Sequence, residues 1–140
     1  FFFKQKTAYE IPKRDWSSDV CSSDLERKPY PYGYDRDDTA CNIDRPPADP
    51  RTPRSQWPEV YRGVPSGSMN RCVSDYGVYD LTGNVDEWTH NESGKPFVSA
   101  LRSGYWGPVR ARCRPVTYVH GPDFSFYQIG FRCCSDLSLR

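Results

Sequence analysis

Hydrophobic and polar positions follow each other in short, irregular stretches, and no segment keeps a helical period for long. Residues 98–106 are a strand candidate, and residues 127–134, with mixed aromatic and β-branched character, are the strongest predicted strand. Residues 85–90 follow the turn signal Gly83-Asn84 and are expected to be extended or to form one helical turn. The pattern therefore predicts short strands, many turns and little helix.

Prolines and aromatic residues divide the rest of the chain. Residues 29–34 carry three tyrosines and two prolines and are predicted to pack as irregular core. Residues 44–57 hold four prolines and are predicted to form a surface loop, because proline interrupts both helices and central strands. Arg110, Arg112 and Arg114 recur at a period of two and would share one strand face, with Cys113 on the other.

Residues 1–25 do not read as protein. The run from Asp15 to Asp24 and the run from Lys4 to Glu10 match the two ends of a translated sequencing adapter, in the expected order. We therefore expect residues 1–25 to be an adapter-derived artefact without a domain, and residues 26–140 to be one small domain that lacks its true N-terminus.

Charge and hydropathy exclude two classes of partner. Without the four basic and four acidic residues of 1–25, the chain keeps 15 basic and 14 acidic residues, well interspersed. This balance predicts no nucleic-acid partner. No apolar run approaches the roughly 20 residues that span a bilayer, so no membrane span is expected.

The cysteines indicate disulfides more than metal. Five remain after residue 25, none in a Cys-x-x-Cys pair, and only His90 and His120 could join them, which argues against structural zinc. An odd number fits disulfides that have lost a partner upstream, or disulfides plus a free thiol. Their pairing stays open, and their number favours an extracytoplasmic location only weakly. They are Cys41, Cys72, Cys113, Cys133 and Cys134.

The segment 76–88 combines carboxylates with a glycine turn. Calcium takes six to eight oxygen ligands from carboxylates and backbone carbonyls. Asp80 and Glu87 offer carboxylates, and the turn between them can direct the carbonyls of Gly83 and Val85 inward. These four residues predict a calcium site. The alternative is that Asp80 caps the turn and Glu87 pairs with an arginine.

Several motifs along the chain occur together in one family. They are Pro31-Tyr32-Gly33, Cys41-Asn42, Gly77–Trp88, Ser103–Trp106, Arg112-Cys113 and Gly130-Phe131-Arg132. In this order they resemble the formylglycine-generating enzymes, or sulfatase-modifying factors. The resemblance implies an α+β, C-type-lectin-like fold that is loop-rich with short antiparallel strands, here truncated at the N-terminus. It also implies a second calcium site at Asn42 and Ile43.

The resemblance bears on catalysis as well. In the family, two cysteine thiolates hold copper(I), which activates oxygen to convert a substrate cysteine into formylglycine. The first of these two cysteine positions falls on Pro108 in this chain. The second falls on Cys113 only when the chain is aligned with the family without a gap; with a gap, Cys113 becomes a disulfide cysteine. The family's active-site serine becomes Tyr105, and a core tryptophan becomes Asp86. Copper is therefore not expected, and Cys113 is the one candidate catalytic residue.

Three hypotheses follow. The chain is part of a formylglycine-generating oxidoreductase with a protein or peptide substrate, or a catalytically inactive, calcium-stabilised binding module on the same scaffold. The third is a fragment too incomplete to fold alone, since small domains bury a modest share of their surface. The sequence leaves the oligomeric state open.

Overall fold

A small mixed sheet and two short helical turns make up the regular structure of the described residues, which are otherwise mostly turns and coil. The computed structural model describes residues 28–46, 49, 51–89, 100–109, 111–113 and 116–132. Its strands are β1 (Asp86–Thr89), β2 (Ala100–Arg102) and β3 (Ile129–Gly130). A 3-10 turn at Arg54–Gln56 leads directly into helix α1 (Trp57–Val60). This architecture is compatible with the predicted α+β class and its low helix content.

Strand β1 lies in the middle of the sheet, in the order β2-β1-β3. Its pairing with β2 is antiparallel, with Glu87 opposite Arg102 and Trp88 opposite Leu101. Its pairing with β3 is parallel, with Glu87 opposite Gly130. The sheet is thus mixed, whereas the sequence predicted antiparallel strands. A parallel pair needs a crossover of a dozen residues or more, which the long connection from β1 to β3 provides.

The strands lie where the sequence pattern predicts them, but they are shorter. Residues 86–89 are extended, as expected after the Gly83-Asn84 turn. β2 occupies the centre of the stretch 98–106, and β3 contributes two residues from the stretch 127–134. Short strands fit this chain because backbone hydrogen bonds at the turns replace longer ladders, as in the bond that the Gly83 N–H donates to the Ser103 carbonyl.

The helical turn at 54–60 falls partly inside the predicted proline-rich loop. Pro53 is the N-cap of the 3-10 turn, and Pro58 lies in the first turn of α1. Both positions tolerate proline because the first N–H groups of a helix have no partner within it. The prediction of no continuous helix was therefore right for most of 44–57, and the chain forms one turn between its prolines.

Polar side chains occupy much of the interior. Two small apolar clusters are present, one of Val78, Leu81 and Cys113, the other of Cys41, Ile43, Cys72 and Ala111. Tyr30 is also buried and stacks on Tyr32 at 5.3 Å, as predicted for an irregular core at 29–34, but Tyr34 of the same segment is exposed. Among the largest fully buried side chains are Asn42, Asp80, Thr82 and Asn84. A core of this kind depends on complete hydrogen bonding, because buried polar groups without partners are costly.

A disulfide joins Cys41 to Cys72 within the second cluster. The disulfide links the Asn42-Ile43 segment to the start of the hairpin-like region that leads to Asp80. In that region the Asp80 N–H donates a hydrogen bond to the Cys72 carbonyl at 3.0 Å. The cross-link holds two loops that the site described below brings together.

Several predictions concern residues outside the described part of the chain: the adapter segment 1–25, His90, Arg110, Arg114, Cys133 and Cys134. Arg112 is described, is exposed, and lies outside the strands, so the predicted arginine strand face is not formed by it. Within the described residues, no helix has the length and apolar character required to cross a membrane.

Candidate functional site

The turn from Asp80 to Val85 is the most distorted part of the described backbone. Asp80, Gly83 and Asn84 all have positive φ angles, of 57°, 78° and 65°. Such angles cost energy for residues other than glycine, and they concentrate at functional or tightly packed sites. Gly83 is required for a second reason: a Cβ there would lie 2.5 Å from the Asn42 carbonyl oxygen and from the Ile43 side chain. The fold therefore brings the two predicted ligand groups, 80–87 and 42–43, into contact.

Asn84 connects these two segments to a third. Its side-chain oxygen accepts hydrogen bonds from the Asn42 amide at 3.1 Å and from the Val64 N–H at 2.9 Å. Its amide donates to the Val64 carbonyl at 3.0 Å. Its own N–H donates to the Asn42 carbonyl, and its carbonyl accepts from the Trp106 N–H. Every polar group of Asn84 is thus satisfied, which explains its nearly complete burial.

The Asp80 carboxylate is buried and only half satisfied. Oδ2 accepts hydrogen bonds from the Ser66 hydroxyl at 2.9 Å and the Gly67 N–H at 2.8 Å. Oδ1 is also buried, and it has no hydrogen-bond partner among the described residues. An orphaned carboxylate oxygen in the interior is costly unless a proton donor or a cation reaches it.

Glu87 is held by an arginine. Arg132 Nε donates to Glu87 Oε2 at 2.6 Å, and Nη2 donates to Oε1. The same guanidinium donates to the carbonyls of Tyr79 at 3.1 Å and Asp80 at 3.3 Å. Planar, bidentate pairing of this kind is the strong form of a carboxylate–arginine contact. Arg132 therefore closes the predicted calcium loop from the side of β3.

These contacts test how well the residues fit calcium. Asp80 Oδ1 is a hard oxygen that lacks a partner, as a calcium ligand would without its ion. Glu87 faces Arg132, which matches the alternative in which it pairs with an arginine. At the second predicted site, Asn42 Oδ1 accepts from Arg45 Nε at 3.1 Å, so a cation there would face a guanidinium. The fit is thus limited to the first site, and there to Asp80 Oδ1.

Side chains alone do not form a metal site in the described part of the chain. Among the described ranges, no group of three or more His, Cys, Asp and Glu side chains lies close enough to hold a metal ion. A calcium ion at Asp80 would accordingly depend on backbone carbonyls for most of its ligands.

The described cysteines are all oxidised. Cys41 and Cys72 pair with each other, and Cys113 is also disulfide-bonded, to a partner outside the described residues. Cys113 thus takes the disulfide role that the gapped alignment gives it. A disulfide sulfur is not a thiolate, so in this structure Cys113 is available neither as a nucleophile nor as a copper ligand. Pro108, at the other thiolate position, has no side-chain donor.

Asp86 and Tyr105 stand where the resemblance implies a tryptophan and a serine, and the Tyr105 ring packs against Trp106. The Gly104 N–H donates to the Asp86 carboxyl, yet burial raises the pKa of Asp86 from 3.8 to about 6. Burial also raises the pKa of Tyr105, with smaller contributions from Tyr127 and Asp86. The sequence did not predict that Tyr127 would join Tyr105 against Trp106, because Tyr127 lies 22 residues beyond Tyr105 along the chain.

An aromatic cluster continues from this group across the surface. Trp106 is buried and contacts Tyr61, Tyr105 and Tyr127, with ring centroids 4.7–5.8 Å apart. Tyr127 contacts Trp57 at 5.3 Å, and Trp57 meets Phe126 edge to face at 5.0 Å. Such geometries contribute beyond simple burial. The cluster anchors α1 to the loop before β3. His120 stacks on Phe124 at its far end, as a structural histidine would.

The site and the fold define the class of protein as a coil-dominated α+β domain with a small mixed sheet. Beside the sheet lie a strained Gly-Asn turn, a buried aspartate and a Glu–Arg ion pair. The family model described as the Sulfatase-modifying factor enzyme 1-like domain matches residues 5–137. The chain belongs to this family, so the resemblance seen in the sequence is confirmed. The matched range includes residues 5–25, whose adapter origin stays a prediction.

Two curated relatives carry the same name. The chain is 37% identical over 83 residues to "Inactive C-alpha-formylglycine-generating enzyme 2" of Bos taurus, which covers 54% of this chain and 28% of that protein. It is 37% identical over 71 residues to the Mus musculus protein of that name, covering 44% of this chain and 23% of the relative. The aligned parts span about a quarter of the length of these relatives.

Proposed function

We propose that this chain is part of a non-catalytic member of the sulfatase-modifying factor family, in which a C-type-lectin-like scaffold binds a protein or peptide without oxidising it. The observation that carries the proposal is the state of the sulfurs: the described cysteines are all in disulfides. Copper(I) selects soft thiolate ligands, and a single lost thiolate removes the pair that would hold it.

Two further features support the proposal. The other thiolate position is Pro108, and the active-site serine and tryptophan are replaced by Tyr105 and Asp86. The two curated relatives are named as inactive formylglycine-generating enzymes.

The alternative is retained oxidase activity, and one assay separates the two. The chain is incubated with copper(I), oxygen and a cysteine-containing sulfatase peptide, and the peptide is followed by mass spectrometry. We expect no formylglycine, with or without a thiol reductant. Conversion of the peptide that disappears in Cys113→Ser but persists in a Cys41→Ser control would overturn the proposal.

Calcium is the stabilising ion that we propose for the scaffold. Asp80 Oδ1 and the carbonyls of Gly83 and Val85 would hold it, and it would neutralise a buried carboxylate whose Oδ1 has no hydrogen-bond partner among the described residues. Glu87 stays with Arg132. A ligand that binds only the folded state raises the melting temperature.

Chelation tests this proposal. EGTA is expected to lower the melting temperature of the chain by several degrees, and calcium to restore it. Asp80→Asn should abolish the response, while Asp38→Asn, at an exposed carboxylate, should keep it. An unchanged melting temperature in EGTA would show that Arg132 supplies the only positive charge that the loop needs.

The Cys41–Cys72 disulfide is compatible with an oxidising compartment. We infer an extracytoplasmic location on this ground. Quantitative labelling of both thiols in freshly lysed cells would contradict it.

A further inference from the structure

The two oxygens of the Asp80 carboxylate have unequal surroundings. Asp80 is 1% exposed, and its Oδ2 accepts hydrogen bonds from the Ser66 hydroxyl at 2.9 Å and from the Gly67 N–H at 2.8 Å. Oδ1 is buried and accepts no hydrogen bond within the described ranges. Because both donors go to the same oxygen, the carboxylate is held in one orientation, and Oδ1 is the oxygen left for a cation.

A tight turn at residues 65–68 presents the two donors. The Ser68 N–H donates to the Pro65 carbonyl at 3.1 Å and thereby closes the turn. Gly67 has a φ of 79°, which glycine adopts at little cost, and a Cβ there would lie 3.8 Å from the ring of Tyr79. The turn is thus fixed by its own contacts, so its donors are in place before an ion arrives.

The backbone of Asp80 is fixed from two other directions. Its N–H donates to the Cys72 carbonyl at 3.0 Å, and its carbonyl accepts a hydrogen bond from Arg132 Nη2 at 3.3 Å. With the main chain held in this way, the remaining freedom of the carboxylate is rotation about the side-chain bonds. The hydrogen bonds from Ser66 and Gly67 restrict this rotation.

Metal ligands are commonly oriented by hydrogen bonds from groups outside the ligand set, and loss of such a group typically weakens metal binding about 10- to 100-fold. We propose that Ser66 is the positioning residue of the calcium site. Its hydroxyl, together with the Gly67 N–H, holds Oδ2 of Asp80 and so presents Oδ1 as a one-oxygen ligand. This inference rests on the calcium site proposed at Asp80, and it adds that the 65–68 turn sets the affinity of that site.

The test is a calcium titration of the full chain by isothermal calorimetry, after EGTA has been used and removed. Ser66→Ala deletes one donor to Oδ2 and should weaken calcium binding about tenfold or more. Ser66→Thr keeps the hydroxyl and should retain most of the affinity. Ser68→Ala, at an exposed serine of the same turn, is the matched control and should bind calcium as the wild type does.

A merely structural role for Ser66 gives a different result. A hydrogen bond that stabilises the folded chain equally with and without the ion would, when lost, lower the melting temperature equally in EGTA and in calcium, and the Kd for calcium would not change. The positioning role predicts a larger loss of melting temperature in calcium than in EGTA. Equal calcium affinity of the wild type and Ser66→Ala would overturn the role of Ser66 and leave the calcium site intact.

Hydrogen exchange of the wild type tests the same geometry without a variant, and it serves if Ser66→Ala does not fold. The Gly67 amide should stay protected in EGTA and in calcium, because Oδ2 keeps its donors while Oδ1 binds the ion. Faster exchange of this amide in calcium would show that the ion takes both oxygens, which contradicts the proposal. Absence of calcium binding by the wild type, with an unchanged melting temperature in EGTA, would instead refute the calcium site itself and this inference with it.

Discussion

Replacing Asn84 by alanine should destabilise the chain strongly. The substitution removes three side-chain hydrogen bonds, to the Asn42 amide and to the N–H and carbonyl of Val64. At about 0.5–1.5 kcal/mol each, these contribute about 3 kcal/mol together. Alanine must also adopt the φ of 65°, which adds roughly 1 kcal/mol.

The expected loss is therefore about 3–5 kcal/mol. Small domains have a total stability of about 5–15 kcal/mol, so the variant should unfold at a much lower urea concentration. The assay is urea denaturation followed by tryptophan fluorescence and circular dichroism, at constant slope. Asn70→Ala provides the control, because Asn70 is an exposed asparagine only 14 positions away.

Asn84→Gly separates the two contributions. Glycine loses the same hydrogen bonds but adopts positive φ without strain, so it should be about 1 kcal/mol more stable than the alanine variant. A loss below roughly 0.5 kcal/mol for Asn84→Ala, no larger than that of Asn70→Ala, would refute the role of Asn84 as the connection between the three loops.

Two other changes give distinct results. Gly83→Ala should lower the free energy of unfolding by several kcal/mol, because its Cβ would lie 2.5 Å from the Asn42 carbonyl and positive φ adds strain. Gly77→Ala is the control, since Gly77 has positive φ but open space around it. A similar loss at both positions in urea denaturation would exclude the steric cause. Asp86→Asn should change the pH dependence of stability. Because burial raises the Asp86 pKa from 3.8 to about 6, the wild type loses stability as pH rises between these values. The variant should therefore melt higher than the wild type at about pH 7.5 and no higher at about pH 4, and a pH-independent difference would contradict the assignment.

The sequence predicts the parts of this fold that depend on local chemistry. The Gly83-Asn84 pair indicates a turn because both residues tolerate positive φ, and the structure has them there. The extended residues that follow, the low helix content and the aromatic irregular core at 29–34 follow from proline, glycine and aromatic positions in the same way. Such signals act over a few residues and need no knowledge of the partner.

The sequence carries no comparable signal for contacts between residues that are far apart along the chain. Glu87 and Arg132 are 45 positions apart, and nothing in the pattern of either segment selects this pair over the other arginines. The parallel pairing of β3 with β1 involves only two residues of β3, and two residues are too few to show the alternating sequence pattern of a strand. Asn84 could be placed in a turn, but its partners, Asn42 and Val64, lie in loops that tertiary hydrogen bonds position. In a chain with so little regular structure, those bonds decide the fold.

The site was predicted in the same uneven way. The sequence predicted Asp80 and Glu87 as calcium ligands, with an arginine partner for Glu87 as the alternative; both are buried, and Glu87 pairs with Arg132. The packing of Tyr105 and Tyr127 against Trp106 needed the fold, because the two tyrosines come from separate loops. The family resemblance marks the position of Tyr105, and Tyr127 has no marker in the sequence.

Copper(I) titration of the purified chain under reducing-agent-free conditions tests the central claim most directly, with a chromogenic copper(I) chelator as competitor. The account predicts that the chain removes no stoichiometric copper(I) from the chelator, because the described cysteines are held in disulfides and Pro108 offers no ligand. A 1:1 complex that Cys113→Ser abolishes would contradict it.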